Sequence, residues 1–194
     1  MKKRIITISR EFGSGGRTIG RTLAEELGIP CYDDEILLKT AVESGLAEDF
    51  IKEHGEYTAS NSLLGTIFAT RDYQGRSMQD VVWQAQKTVI EKIGQEESCV
   101  IVGRCADYIL KDIADCLTVF IHASKEFRAH RIVEVYGENE TKPMKRLSDK
   151  DKRRKNYYQF YTDLEWGQAQ HYDICLDSGV FGLERCVEIL KELY

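Results

Sequence analysis

Residues 4–28 constrain the fold more than any other stretch of this chain. Arg4-Ile5-Ile6-Thr7-Ile8-Ser9 is a β-branched run of buried-strand type. Ile19, Leu23, Ala24 and Leu27 then fall on one helical face, and Gly28 stands where a helix would stop. Between them lies Glu11-Phe-Gly-Ser-Gly-Gly-Arg-Thr18. A glycine turn leading from a strand into a helix N-terminus offers backbone N–H groups and the positive end of the helix dipole to an anion. Against the phosphate-binding pattern Gly-x4-Gly-Lys-Ser/Thr, the stretch matches at Gly16 and Thr18. Glu11 replaces the first glycine and Arg17 the lysine. The order of strand, small residues, cation, hydroxyl and helix favours phosphate binding over a plain flexible turn. Gly13, Ser14, Gly15 and Gly16 would then wrap nucleotide phosphates, Arg17 would reach the terminal ones, and Thr18 would offer its hydroxyl to Mg2+.

A chain of 194 residues is expected to form one globular domain with a proper core. No apolar stretch approaches membrane-spanning length, and the run behind Met1-Lys2-Lys3-Arg4 is too short for a signal peptide, so the expected location is the cytoplasm and no membrane partner is expected. Cys31, Cys99, Cys105, Cys116, Cys175 and Cys186 are scattered without Cys-x-x-Cys or histidine spacing, which argues against zinc. The net charge of −5 argues against nucleic acid as the main partner. Yet Lys142 to Lys155 is strongly basic, with Lys142, Lys145, Arg146, Lys150, Lys152, Arg153, Arg154 and Lys155 against Asp149 and Asp151. A basic segment on an acidic chain suggests a local anion site.

The remaining pattern alternates strand and helix. Strands are expected at 29–32, 99–103, 117–121 and 174–177, and helices at 77–94, 125–136 and 183–193. Asp33-Asp34-Glu35 opens another helix, and the basic segment leads into one ending near Tyr161. Apolar strands separated by helices imply an α/β fold, a parallel sheet covered on both faces. Ligands bind such sheets beyond the carboxyl ends of the strands. The glycine loop, Asp33 and Gly103-Arg104 all follow strands there.

With these positions placed, the chain resembles the cytidylate kinase-like branch of the P-loop nucleoside monophosphate kinases. The resemblance rests on Ile8-Ser9-Arg10-Glu11-Phe12-Gly13-Ser14-Gly15-Gly16-Arg17, Ile101-Val102-Gly103-Arg104, Thr118-Val119-Phe120-Ile121, Phe127-Arg128-Ala129-His130-Arg131, Asp151-Lys152-Arg153-Arg154 and Tyr172-Asp173-Ile174-Cys175-Leu176-Asp177-Ser178, in order along almost the whole chain. It implies a three-layer P-loop NTPase fold with a helical monophosphate-binding segment at about 33–97 and a lid at about 138–162. It also implies transfer of the γ-phosphoryl of ATP, with Mg2+, to a small-molecule acceptor, CMP or dCMP foremost. Carried over, Gly13 to Thr18 would hold donor phosphates, with Arg128 and Arg131 as further ATP ligands. Arg104, Asp33 and Asp151 would hold the acceptor, and Arg17, Arg153 and Arg154 would meet the transferring group. Arginines suit that task, since the guanidinium fork is bidentate and always charged.

Plainer readings stand beside these roles: Asp33 as a helix cap, and the arginines of the basic segment as a solvated face. Asp151 and Arg154, three apart, should share a helix face. The glycine-poor, charge-rich composition of the lid suggests that it is disordered or open without ligand. One departure bears on the acceptor. Cytidylate kinases place an aspartate after the Gly-Arg of the third strand, and here that position is Cys105, a poor acceptor for a cytosine amino group. A kinase of another metabolite and a non-catalytic nucleotide sensor therefore stay open as alternatives.

Overall fold

The computed structural model describes residues 4–37, 78–137 and 142–194. The expected continuation of the helix beyond residue 37 lies outside them, as does most of the monophosphate-binding segment. The elements used below are β1 (Ile5–Arg10), α1 (Gly16–Leu27), β2 (Cys31–Tyr32), α2 (Met78–Glu96), β3 (Cys99–Val102), α3 (Ala106–Ile109), β4 (Cys116–His122), α4 (Lys125–Tyr136), α5 (Pro143–Thr162), β5 (Ile174–Asp177), α6 (Ser178–Phe181) and α7 (Leu183–Leu193). A helical turn also begins at 34–37.

The five strands form one parallel sheet in the order β2-β3-β1-β4-β5, with Ile5 opposite both Cys99 and Cys116. Side chains alternate across it, as the two-residue strand period requires. Ile6, Ile8, Val100, Val102, Val119 and Ile121 pack with Ile19, Leu23 and Ala24 of α1 and Val187 and Leu190 of α7. Ile5, Cys99 and Ile101 pack on the other side with Trp83, Val89, Ile90 and Ile93 of α2, and with Ile109 and Leu110. The result is the three-layer α/β arrangement expected from apolar strands.

Sheet order also places the site. The chain runs from β1 outward to β2, returns through β3, then crosses to β4 on the other flank of β1. The carboxyl end of β1 is thus the switch point where ligands bind in such sheets. α4 starts on a Ser124 cap and ends at Gly137, and α7 spans Leu183–Leu193, both as the periodicity predicts. The short α3 and α6 escape sequence reading, because four residues are too few to display a helical stripe. No helix among the described residues is long and apolar enough to cross a membrane.

Candidate active site

The loop after β1 is built as an anion cradle. Gly15, at φ +84°, is the N-cap of α1, and no side chain caps the helix. Ile19 N–H makes the first-turn bond to Gly15 O, leaving the preceding N–H groups of Gly16, Arg17 and Thr18 without intrahelical acceptors. The first turn contains no acidic residue to take their place. These donors and the helix dipole point at whatever occupies the loop.

The loop is held rigidly from behind. Ser14 donates its hydroxyl to Glu11 O and Ile121 O, and its N–H to Glu11 O, so Ser14 shapes the loop from within. Ser178 donates to Ser14 O at 2.6 Å. Glu11 accepts the Ala123 N–H and lies 3.3 Å from the Arg128 guanidinium. A carboxylate thus replaces the pattern's first glycine because it ties the loop to the end of β4.

Arg128 is buried, bonding Ala123 O, Phe12 O and, at 2.6 Å, Asp151 of α5. The other Asp151 oxygen accepts the Phe12 N–H at 2.7 Å. Asp151, expected beside the acceptor, latches α5 onto the loop after β1. Arg154, one turn further, donates to Arg10 O and lies over the Phe12 ring. The shared face of Asp151 and Arg154 is present, and it docks α5 on the loop after β1. Arg153 is exposed and outside the cavity wall, since each helical residue turns by about 100° and Arg154 is the one facing inward.

The loop, α5 and the residues after β2 enclose a cavity of about 320 Å³. Its wall includes Arg10, Arg17, Arg146, Lys150 and Arg154, together with Asp33, Asp34 and Glu35. Arg146, Lys150 and Arg154 recur every four residues, a spacing that marks one helix face in the sequence and could have singled out the first two. Arg10 gave no such signal, for it reads as the polar end of a strand.

Arg17 points across the mouth of the cavity. Its Nε donates to Asp33 at 2.8 Å and its Nη2 to Glu35 at 2.8 Å. Asp33 also accepts from Arg21, and its other oxygen accepts the N–H groups of Glu35 and Ile36. It is therefore a helix cap and part of the cavity wall at once. Burial works against its charge, but Arg17, the Ile36 N–H and Arg21 outweigh that and hold its carboxyl below the usual range. Arg104, in the left-handed region at φ 55°, pairs with Asp34 and lies 5.0 Å over the Tyr157 ring. Burial opposes the Arg104 charge, and the Asp34 carboxylate overrides it, so its pKa is raised. Cys105 is buried behind Arg104, and burial, with Asp107 near, raises its pKa. It is a neutral thiol turned into the core.

Arg131 is buried, with Nη2 donating to Thr18 Oγ1 at 3.1 Å and Nη1 lacking a partner. An unpaired guanidinium nitrogen beside the first turn of α1 suits a phosphate oxygen. No group of three or more metal-binding side chains occurs among the described residues. Mg2+ does not need one, since it keeps its waters and takes one or two protein ligands beside substrate phosphates. The exposed Thr18 hydroxyl retains a lone pair for that purpose, so the residues fit the ion.

Comparison with known proteins decides the family. The model of the cytidylate kinase-like family matches residues 5–180. The chain belongs to that family. A cytidylate kinase of Archaeoglobus fulgidus is 29% identical over 95% of this chain and 91% of its own. A crystal structure of an uncharacterized protein from Eubacterium ventriosum is 30% identical, covers 98% of both chains and superposes with a TM-score of 0.75. A shikimate kinase from Acinetobacter baumannii, 14% identical with a TM-score of 0.53, shares the fold alone. As a member of the family this chain is an ATP-dependent kinase on a three-layer P-loop scaffold.

Proposed function

We propose that this kinase transfers the γ-phosphoryl of ATP to a nucleoside monophosphate, CMP or dCMP foremost. The observation that carries the reading is convergence: Arg10 of β1, Arg17 of α1 and Arg154 of α5 meet at one cavity in front of an uncapped helix N-terminus. Arg104 stands beside them through Asp34, itself a wall residue. A pure nucleotide binder has little use for so many cations. Two phosphorylated substrates meeting end to end need them. The choice of cytidine rests on the names borne by curated relatives such as that of A. fulgidus.

In this reading the N–H groups of Gly13, Gly15, Gly16, Arg17 and Thr18 bind the donor phosphates while Ser14 keeps the loop in shape. Arg131 and Thr18 meet the donor from the α4 side, and Arg128 holds the loop rather than the ligand. Arg104, Arg17 and Asp33 form the acceptor wall. An acceptor phosphate oxygen attacks the γ-phosphorus, the bond to the β–γ bridging oxygen breaks, and ADP departs with that electron pair. Mg2+, when bound, neutralises charge on the β- and γ-phosphates. Arg154 stabilises the equatorial oxygens, where charge accumulates.

One observation favours a second reading. The Cys105 thiol is buried, so it reads no base, and an acceptor recognised through Asp33, Asp34 and Glu35 need not be a nucleotide. A coupled ADP-release assay with ATP and Mg2+ against CMP, dCMP, UMP, AMP, GMP and no acceptor separates the two. Stimulation by CMP or dCMP is the expected result. A protein that binds ATP and responds to no nucleotide is a metabolite kinase or a sensor.

A further inference from the structure

Among the described residues Arg10 is a cation with no carboxylate bonded to it. Its side chain leaves the end of β1, passes the Cα of Gly16 and lies against Gly103 after β3. A Cβ built on Gly16 would come 2.6 Å from Arg10 Cβ, and one on Gly103 would come 2.0 Å from Arg10 Nη1. Two glycines thus clear its path. The surrounding groups are named easily: Arg154 from α5, Arg104 from the β3–α3 turn, Arg17 from α1, and Asp34 from the helical turn after β2. Asp34, the one carboxylate in that set, is paired to Arg104. Among the described residues no side-chain oxygen bonds the Arg10 guanidinium. The loop's own cation is meanwhile engaged elsewhere, since Arg17 bonds both Asp33 and Glu35.

We propose that Arg10, together with Arg154, is the seat of the phosphoryl group in transfer, filling the place that Arg17 leaves by turning to Asp33 and Glu35. This rests on the kinase reading above and adds a phosphate-binding residue from outside the loop pattern. Three features support it. Arg10 lines the cavity beside the uncapped turn of α1. Arg154 donates to the Arg10 carbonyl, which brings its guanidinium to the Arg10 backbone, and both side chains line the cavity. Burial, and then the charge of Arg154, push the Arg10 pKa down to about 9. A guanidinium keeps its proton in proteins, so that pressure is relieved by an incoming oxyanion rather than by deprotonation.

The test compares Arg10→Met, which keeps the stem that packs on Gly16, and Arg10→Lys with the unaltered protein. Two readouts serve: kcat and KM for ATP in the assay above, and calorimetric binding of inorganic pyrophosphate, which needs no acceptor. In Arg10→Met, kcat is expected to fall about 100-fold with a KM change of a few-fold, the usual loss for one preorganised donor. Pyrophosphate affinity should weaken about tenfold, and Arg10→Lys should recover part of both. Thermal stability should rise in Arg10→Met, because a cation crowded by three others is gone. A residue that merely braced the fold would lower it. Unchanged pyrophosphate binding in Arg10→Met, or no pyrophosphate binding by the unaltered protein, overturns the proposal. Arg10-dependent pyrophosphate binding without turnover on any acceptor would keep the seat and sink the nucleotide kinase reading.

Discussion

Gly103 shows how a single backbone position can serve a side chain far from it in sequence. At φ +86°, with the Arg10 Nη1 2.0 Å from where a Cβ would stand, it excludes every other residue twice over. Gly103→Ala should lose about 2 kcal/mol, combining the left-handed backbone with the clash. It should also lose turnover, because the guanidinium must move. Adding Arg10→Met to Gly103→Ala should return part of that stability, since the clashing group is absent. Chemical denaturation of the two single variants and the double variant checks this. Additive losses would mean that Gly103 answers to its backbone alone. The sequence displayed Gly103 as the end of a strand but gave no hint of Arg10 as the reason for a glycine there. Contacts between two parallel strands with 88 intervening residues leave no local pattern. Arg17 was legible as the loop cation, whereas its turn toward Asp33 depends on where β2 ends.

At the scale of elements, α5 is joined to the loop by charge. Asp151 bonds Phe12 N–H and Arg128, while Arg128 also meets Glu11 and two carbonyls. Asp151→Asn would leave the buried guanidinium with fewer acceptors and should cost about 2 kcal/mol, the range for hydrogen bonds to charged groups. In a domain of this size that shifts Tm by about 4–8 °C. Arg153→Ala, on the exposed side, should shift it little. Equal effects of the two substitutions would contradict the docking of α5. The shared face of Asp151 and Arg154 was visible as a three-residue spacing, and the helix itself as a basic run. Which arginine faces inward was not, because a run of charges has no apolar stripe to set the phase.

The joint between α1 and the helical turn after β2 carries a pH signature. Asp33 holds Arg17 and Arg21 and caps the turn, and these bonds keep its carboxyl below the ordinary carboxylate value of about 3.9. A carboxyl depressed in the folded state stabilises above its unfolded pKa, and the contribution disappears as pH falls through the folded value. The gap in stability between the unaltered protein and Asp33→Asn should therefore be full at pH 7 and close below about pH 4. Urea melts across that range measure it. A gap that persists in acid would assign Asp33 a role other than its charge.

Over the whole molecule, charge is distributed against its own net sign. The chain is acidic overall at −5, yet Arg10, Arg17, Arg146, Lys150 and Arg154 face one cavity. Glu11, Asp33, Asp34 and Glu35 line the same wall and offset part of that charge, but the like-charge contact of Arg10 with Arg154 remains and raises the free energy of the folded protein until an anion enters. Binding of ATP with an acceptor should therefore stabilise the fold beyond what contacts at a neutral site would give. At ligand concentrations near 100 times Kd, linkage alone contributes about 2.7 kcal/mol, or a Tm increase of about 5–11 °C. If the gain comes from pairing phosphates with the converging cations, salt must reduce it. Screening lengths fall from about 10 Å at 0.1 M to about 3 Å at 1 M. The ligand-induced shift should shrink across that interval at fixed ligand concentration. It should not vanish, because the enclosed groups at the end of β1 are screened less than those on α5. Arg154→Met should weaken both the shift and its salt dependence, whereas Arg153→Ala should leave both in place. A shift insensitive to salt would mean that the nucleotides bind through their bases and riboses, and that the cationic cavity is not where their phosphates meet.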